Sequence, residues 1–234
     1  MAGFFDLKDE KEAKEYIDRV GVEYRFQCFH EGRADGCHRL ADYFEAFKHE
    51  YDKARKIYAK NCDENHYGIS CFKLGNYHLL GKACTKDFLA AFDAYRRSCA
   101  FGYGGGCYNG ALLMEDGRGN ADGQKDHAAA AEMLRNGCKV NDIPACFRLS
   151  TYYITGQQGM ERDMKQAFAY SKIACDADHI LACHNLSRMY AEGQGIEQNQ
   201  ELADYYKKKT KQMHKEMTEG TAELKFGQWI TDSW

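Results

Sequence analysis

The sequence predicts an all-α fold: a right-handed α/α solenoid of about five helix-turn-helix repeats linked by disulfides. Three observations predict it. Cys37, Cys71, Cys107, Cys146 and Cys183 each open a copy of one pattern, at intervals of 34, 36, 39 and 37 residues, and a period of that length marks stacked helical pairs. Within a copy, apolar residues recur at mixed three and four spacing, as one face of an α-helix requires. In four copies an acidic residue stands twelve positions before the cysteine that closes the second helix: Glu50 and Cys62, Asp87 and Cys99, Asp126 and Cys138, Asp163 and Cys175.

Taken in order, the opening MAGFFDLKDEKEAKEYIDRV reads as a helix of the fold, and with the first cysteine-initiated helix it spans 9–47. Repeats start at about 37, 71, 107, 146 and 183, and a capping helix covers about 199–219. A single domain is expected over 1–220, with 221–234 an irregular tail that is free or docks a tryptophan.

The stretch from Cys71 to Cys99 is the clearest copy. Phe72, Leu74, Tyr77, His78 and Leu79 pattern a first helix that breaks at Gly81. Asp87 opens a second, whose face is Phe88, Ala91, Phe92, Ala94 and Tyr95; Arg96 and Arg97 close it near the negative end of the helix dipole.

Three residues past each opening cysteine stand Leu40, Leu74, Gly110, Leu149 and Leu186; six past stand Tyr43, Tyr77, Leu113, Tyr152 and Met189. Ten past stand Gly81, Gly117, Gly156 and Gly193, but Phe47 in the first copy, whose helix should end differently. Gly110 and Leu113 in place of Leu and Tyr predict locally open packing in the third copy. The four acidic residues are placed to cap free amides at helix starts. Small residues such as Ala128 to Ala131 permit close helix approach, and Pro144 suits a first helical turn.

A net charge of −3 with mixed signs gives no electrostatic footprint for nucleic acid or an anionic membrane surface. No apolar run is long enough to span a bilayer. There is no phosphate-cradling glycine loop, nucleophile elbow or His-Glu-x-x-His, so enzyme signatures are missing and a noncatalytic role is favoured. With no C-x-x-C and no compact Cys/His cluster, no metal site is expected.

Ten of the eleven cysteines fall into short-range couples: Cys28 with Cys37, Cys62 with Cys71, Cys99 with Cys107, Cys138 with Cys146, and Cys175 with Cys183. In one continuous helix, residues eight apart are separated by about 12 Å, too far for a disulfide, so the chain must turn between partners. Each bridge would clamp the end of one hairpin to the start of the next. A rival scheme joins the two ends of one hairpin, as in Cys37 with Cys62 and Cys71 with Cys99, but strands Cys28 and Cys183. The local scheme leaves over only Cys84, which reads either as a reactive thiol or as an inert, part-buried residue.

Disulfides are rare where thiols are kept reduced, and the opening segment has neither a secretory nor a presequence layout. The mitochondrial intermembrane space reconciles the two; a cytosolic protein with reduced, buried cysteines is the alternative.

The repeated L-G-x-Y and D-x-x-x-A-x-x-x-Y signature, carried best by Leu74, Gly75, Tyr77, Gly81, Asp87, Ala91 and Tyr95, resembles the Sel-1-like repeat family in its cysteine-paired form, over roughly residues 28–206. CFHEGRADGCHRL, CDENHYGISCFKLGNYH and IACDADHILACHNLSRMY resemble a group of respiratory-chain assembly factors within it. The resemblance implies an intermembrane-space protein needed for cytochrome c oxidase biogenesis, acting as a protein-binding or haem-carrying scaffold. It implies partners among respiratory-chain assembly proteins or subunits, import through the mitochondrial disulfide relay, and a monomer bound to neither nucleic acid nor membrane. Alternatives are a thiol-disulfide oxidoreductase using Cys84 or one exposed bridge, and a cytosolic adaptor. Some bacterial relatives point to β-lactamase-like activity, but no serine nucleophile with a matching base is visible here.

No cofactor is required; haem is the one left open, since His and Met are ordinary axial ligands. His78 and His184 sit beside apolar faces and Met133 and Met189 on them, which suits a core, while Met114, His127 and His179 lie near loops. Tyr24, Tyr43, Tyr77, Tyr95, Tyr152, Tyr153, Tyr170 and Tyr190 read as inter-repeat packing or a concave surface. KKKTKQMHK at 207–215 reads as a solvated helix face or a docking patch.

Overall fold

The computed structural model describes residues 9–156 and 161–228, with side chains through Glu219. Every regular element among them is helical. Helix packing groups the chain into two compact units, residues 1–140 and 141–234. The repeat pattern alone predicts one domain over 1–220; stacked hairpins are held by nearest-neighbour contacts, and no single core obliges them to form one body.

The first unit contains α1 (Glu10–Phe29), α2 (Ala34–Ala46), α3 (Tyr51–Glu64), α4 (Gly68–Leu80), α5 (Phe88–Ala100), α6 (Gly104–Glu115) and α7 (His127–Lys139). Each helix packs on the next in sequence. Leu40, Tyr43, Phe44, Ala54, Tyr58, Leu74 and Tyr77 interlock α2, α3 and α4 in one buried cluster.

The second unit contains α8 (Ile143–Thr155), α9 (Met164–Asp176), α10 (Ile180–Glu192) and α11 (Gln200–Gln228). Its buried residues include Leu149, Tyr152, Ala167, Ala174, Leu186 and Met189, the same repeat positions as in the first unit. The helix α11 runs nine residues past 219, through a stretch whose sequence reads as irregular tail, while 229–234 and the docking of its tryptophans lie outside the described residues.

Helix ends follow local chemistry. Asp87, Asp126, Asp142 and Asp163 cap α5, α7, α8 and α9 by accepting backbone amides. Glu50 departs from that expectation: it precedes α3 but makes no side-chain cap, pairing instead with Lys53. A longer side chain reaches past the first amides. Gly81, Gly156 and Gly193 close α4, α8 and α10 in the left-handed conformation. Phe47 closes α2 in a right-handed one, the different ending its side chain predicts.

The third repeat is not open. Gly110 and Leu113 are buried, and Met133 of α7 fills the space over Gly110, where a Cβ would lie 2.3 Å from its Cε. A flexible thioether replaces the volume that leucine supplies elsewhere.

Candidate functional site

Four bridges have their geometry inside one unit. Cys28 joins Cys37, Cys62 joins Cys71, Cys99 joins Cys107 and Cys175 joins Cys183, with Cα separations of 4.3, 4.8, 4.5 and 4.7 Å. Each links the end of one hairpin to the start of the next, not the two ends of one hairpin. Cys138 closes α7 and Cys146 lies in α8; both are disulfide cysteines. Cys84 is the free thiol among the described residues. It is part-buried, and its Sγ lies 3.5 Å from the carbonyl oxygens of both Tyr77 and Lys82 and 3.8 Å from His78 Nδ1. Burial first, then the charge of Arg55, lowers the His78 pKa, so this imidazole is neutral near pH 7.

A second cluster joins α2, α3 and α4. The buried Tyr58 hydroxyl donates to Asp42 and lies 3.0 Å from Glu45 Oε2. Lys82 Nζ is 2.6 Å from Glu45 Oε1, and Lys73 Nζ is 3.3 Å from Glu45 Oε2 and 3.5 Å from Asp42. His38 completes it, with Nε2 3.4 Å from Asp42 and Nδ1 3.0 Å from Ser70 Oγ. Burial, reinforced by the Asp42 and Glu45 carboxylates, holds Tyr58 far above the usual phenol range, so it remains a donor. Two acids facing two lysines leave no charge for a ligand to neutralise. The cluster is a pin between hairpins, and sequence periodicity does not reveal it because its charged members, Asp42, Glu45, Lys73 and Lys82, fall between the apolar positions.

Of the eight tyrosines singled out by the repeat pattern, Tyr43, Tyr77, Tyr95, Tyr152 and Tyr190 are buried, and Tyr153 and Tyr170 stack at 5.8 Å. Burial pushes Tyr95 up to about 12. Met114 and Met189 are core residues, and His127 opens α7. The 207–215 run is a largely solvated face on which Lys209 reaches back to Asp178 at 3.0 Å.

The second unit holds a mainly apolar groove of about 730 Å³ between the start of α10 and the middle of α11, lined by His179, Ile180, Leu181, His184, Lys211, His214 and Met217 among others. A register explains it. In three copies the aromatic residue after the opening cysteine meets the residue that caps a following hairpin: His38 and Tyr67 at 5.6 Å, Phe72 and Tyr103 at 5.1 Å, Phe147 and His179 at 4.1 Å. His184 follows Cys183 in the same register, and no further hairpin follows α11 among the described residues. His184 and Leu181 therefore remain exposed. His179 accepts the Ala182 amide through Nδ1, and burial lowers its pKa, fixing a neutral ring. His214 and Met217 lie three apart on α11, on one face, a spacing the sequence displays but composition hides. No group of three or more His, Cys, Asp or Glu among the described residues is arranged to hold a metal ion, and no described helix is long and apolar enough to cross a membrane.

The Sel1 repeat model matches residues 68–103, 143–179 and 180–206. Cytochrome c oxidase assembly factor 7 of Xenopus tropicalis is 40% identical, over 97% of this chain and 100% of that one. The human protein of the same name is 38% identical over the same shares, and the Drosophila melanogaster homolog 33%, over 97% and 98%. The chain belongs to the cytochrome c oxidase assembly factor 7 family. Solved structures agree in fold. A Sel1 repeat protein from Oxalobacter formigenes superposes with a TM-score of 0.66 at 20% identity, over 86% of this chain and 83% of that one. The uropathogenic Escherichia coli antigen c5321, which displays an SLR fold, gives 0.69 at 18%, over 84% and 40%. For this family member the repeat register thus explains both the bridges and the exposed groove beside α11.

Proposed function

We propose that this protein is a mitochondrial assembly factor for cytochrome c oxidase, acting as a binding scaffold and not as a catalyst. The observation that carries this reading is likeness to relatives of that name along nearly the whole chain, at 33–40% identity. Helical repeats suit the role, since they present long surfaces for holding another protein. The ten bonded cysteines favour the intermembrane space, where disulfides persist, over the cytosol. Its partners there are respiratory-chain assembly proteins or subunits, and the disulfide relay is its import route. The test is rescue: in cells lacking their own family member, the protein should restore assembled cytochrome c oxidase on native gels and localise, by protease protection, between the two mitochondrial membranes. Normal complex levels without it would overturn the reading.

A second reading, haem carriage, is favoured by the α10–α11 groove. Its apolar walls and imidazole and thioether donors fit a haem, with His184, His214 and Met217 as the residues that would hold it. Bound there, haem would be cargo held by axial ligation for transfer. Haem titration should give a sharp Soret band that His184→Ala and Met217→Ala weaken; an unaltered band in the combined variant removes the groove from this role.

A further inference from the structure

Tyr67, Tyr103 and His179 cap α4, α6 and α10 from an extended conformation and lie against His38, Phe72 and Phe147, each of which is half-buried. His184 holds the same place after Cys183 yet is exposed, and Leu181 beside it is 58% exposed. On α11 the repeat positions change chemistry. Counted from Asn199, whose Oδ1 accepts the Leu202 amide, Lys207 and Lys211 stand where Tyr95 and Cys99 stand after Asp87. In that earlier copy both residues face the following hairpin: Tyr95 lies against Gly110 of α6, and Cys99 bridges to Cys107. Lys207 and Lys211 are exposed, neither has an ion-pair partner among the described residues, and Lys211 lines the groove of about 730 Å³. The face that elsewhere receives a following hairpin is thus apolar on α10 and basic on α11.

We propose that this groove receives a helix of a partner protein in the register of a further hairpin, with an aromatic ring at its N-cap over His184 and an acidic side chain in its first turn on Lys211. The register sets the spacing. Tyr67, Tyr103 and His179 each stand four residues before the cysteine that bonds back to the preceding hairpin, namely Cys71, Cys107 and Cys183. Lys211 replaces the preceding hairpin's cysteine, so the guest's acid belongs four residues past its aromatic cap. An ion pair then stands where the chain's own hairpins have a covalent bridge, and the guest is held reversibly. The guest helix tolerates this acid well, because negative charge in a first turn meets the positive end of the helix dipole. Its apolar face covers Ile180 and Leu181, burying surface that is otherwise left to water. The inference rests on the scaffold reading and names the kind of partner held; a helix seated over His184 excludes haem from the same groove.

The test titrates the full-length, oxidised protein into a fluorescein-labelled, lactam-stapled alanine-based helix led by tyrosine, with glutamate four residues on, and reads anisotropy. Saturable binding is expected. His184→Ala should weaken it about two- to tenfold through loss of the ring contact. An alanine-led probe should lose a similar factor and no longer respond to His184→Ala. Lys211→Glu should weaken binding of the glutamate probe, and a probe with lysine in its place should recover it, which also shows that the variant is folded. No saturation up to about 1 mM protein overturns the proposal. So does equal binding of the alanine-led probe, indifference to His184→Ala, or a charge exchange that recovers nothing. Rescue of cytochrome c oxidase judges the scaffold reading separately: a protein that restores the complex yet binds no probe keeps that reading and loses this inference.

Discussion

Gly102 sits five residues ahead of Cys107 with a φ of 80°, inside the loop that the Cys99 bridge closes. Gly32, His66 and Asp178 stand at the same offset before Cys37, Cys71 and Cys183, each with positive φ. One left-handed residue therefore reverses the chain inside each of these loops and lets helix ends meet at disulfide distance. A Cβ at Gly102 would meet nothing within 4 Å, so Gly102→Ala isolates the backbone cost. The expected loss is about 1 kcal/mol, from the left-handed conformation alone, read as a lower urea midpoint with unchanged slope. An unchanged midpoint would mean that the loop can turn without this conformation.

Gly75 and Gly110 separate rigid from yielding contacts. A Cβ on Gly75 would lie 2.5 Å from the ring of Tyr95, which is fully buried, whereas the tight contacts of one on Gly110 are with the flexible thioether end of Met133. Gly75→Ala should cost about 1–3 kcal/mol by overpacking, and Gly110→Ala clearly less, because a methionine can turn aside. Thermal melts of the two variants, side by side, check the order.

These two glycines also show how far the sequence could be read. Gly75 lies inside the repeat signature, and its helix, face and break were legible from the period because repetition averages out local noise. Gly110 looked like a gap, since its filler comes from Met133 on another helix and only the fold brings the two together. The bridge loops were legible as turns but not their left-handed residue, which is glycine at 32 and 102 but His66 and Asp178 elsewhere. The candidate groove is half legible: His184 and the lysine run stand out in the sequence, while His214 and Met217 gain meaning only with α11 placed beside α10. The Asp42, Glu45, Lys73 and Lys82 ring around Tyr58 leaves no trace in the sequence, because charged residues between apolar positions look solvated.

Glu45 makes that pin sensitive to pH. Burial by itself would raise its pKa, but the Lys82 hydrogen bond, the Lys73 charge and the Tyr58 hydrogen bond together outweigh burial and lower it below 4.5. A carboxylate depressed on folding contributes stability above its unfolded pKa and loses it as pH falls through the folded one. Wild type should therefore lose part of its stability below about pH 4.5, and Glu45→Gln should be less stable at pH 7 yet show a flatter acid limb. Urea titrations from pH 7 to pH 3 check this, and parallel acid limbs would show that Glu45 is not linked to folding.

The disulfide map bears on the architecture most directly. With four bridges fixed between neighbouring helix ends and Cys84 free, native protein treated with an alkylating reagent should gain one label, on Cys84, and eleven after unfolding and reduction. Peptide mapping without reductant should recover the four described links. Removing one bridge, for example by Cys62→Ser with Cys71→Ser, should cost roughly 2–3 kcal/mol, since a loop this short contributes modestly through the entropy of the unfolded chain. The double substitution avoids leaving a lone reactive thiol, so the melt reports the bridge and not thiol exchange. A peptide joining Cys37 to Cys62 would show that each hairpin is closed on itself, and successive hairpins would then be held by packing alone.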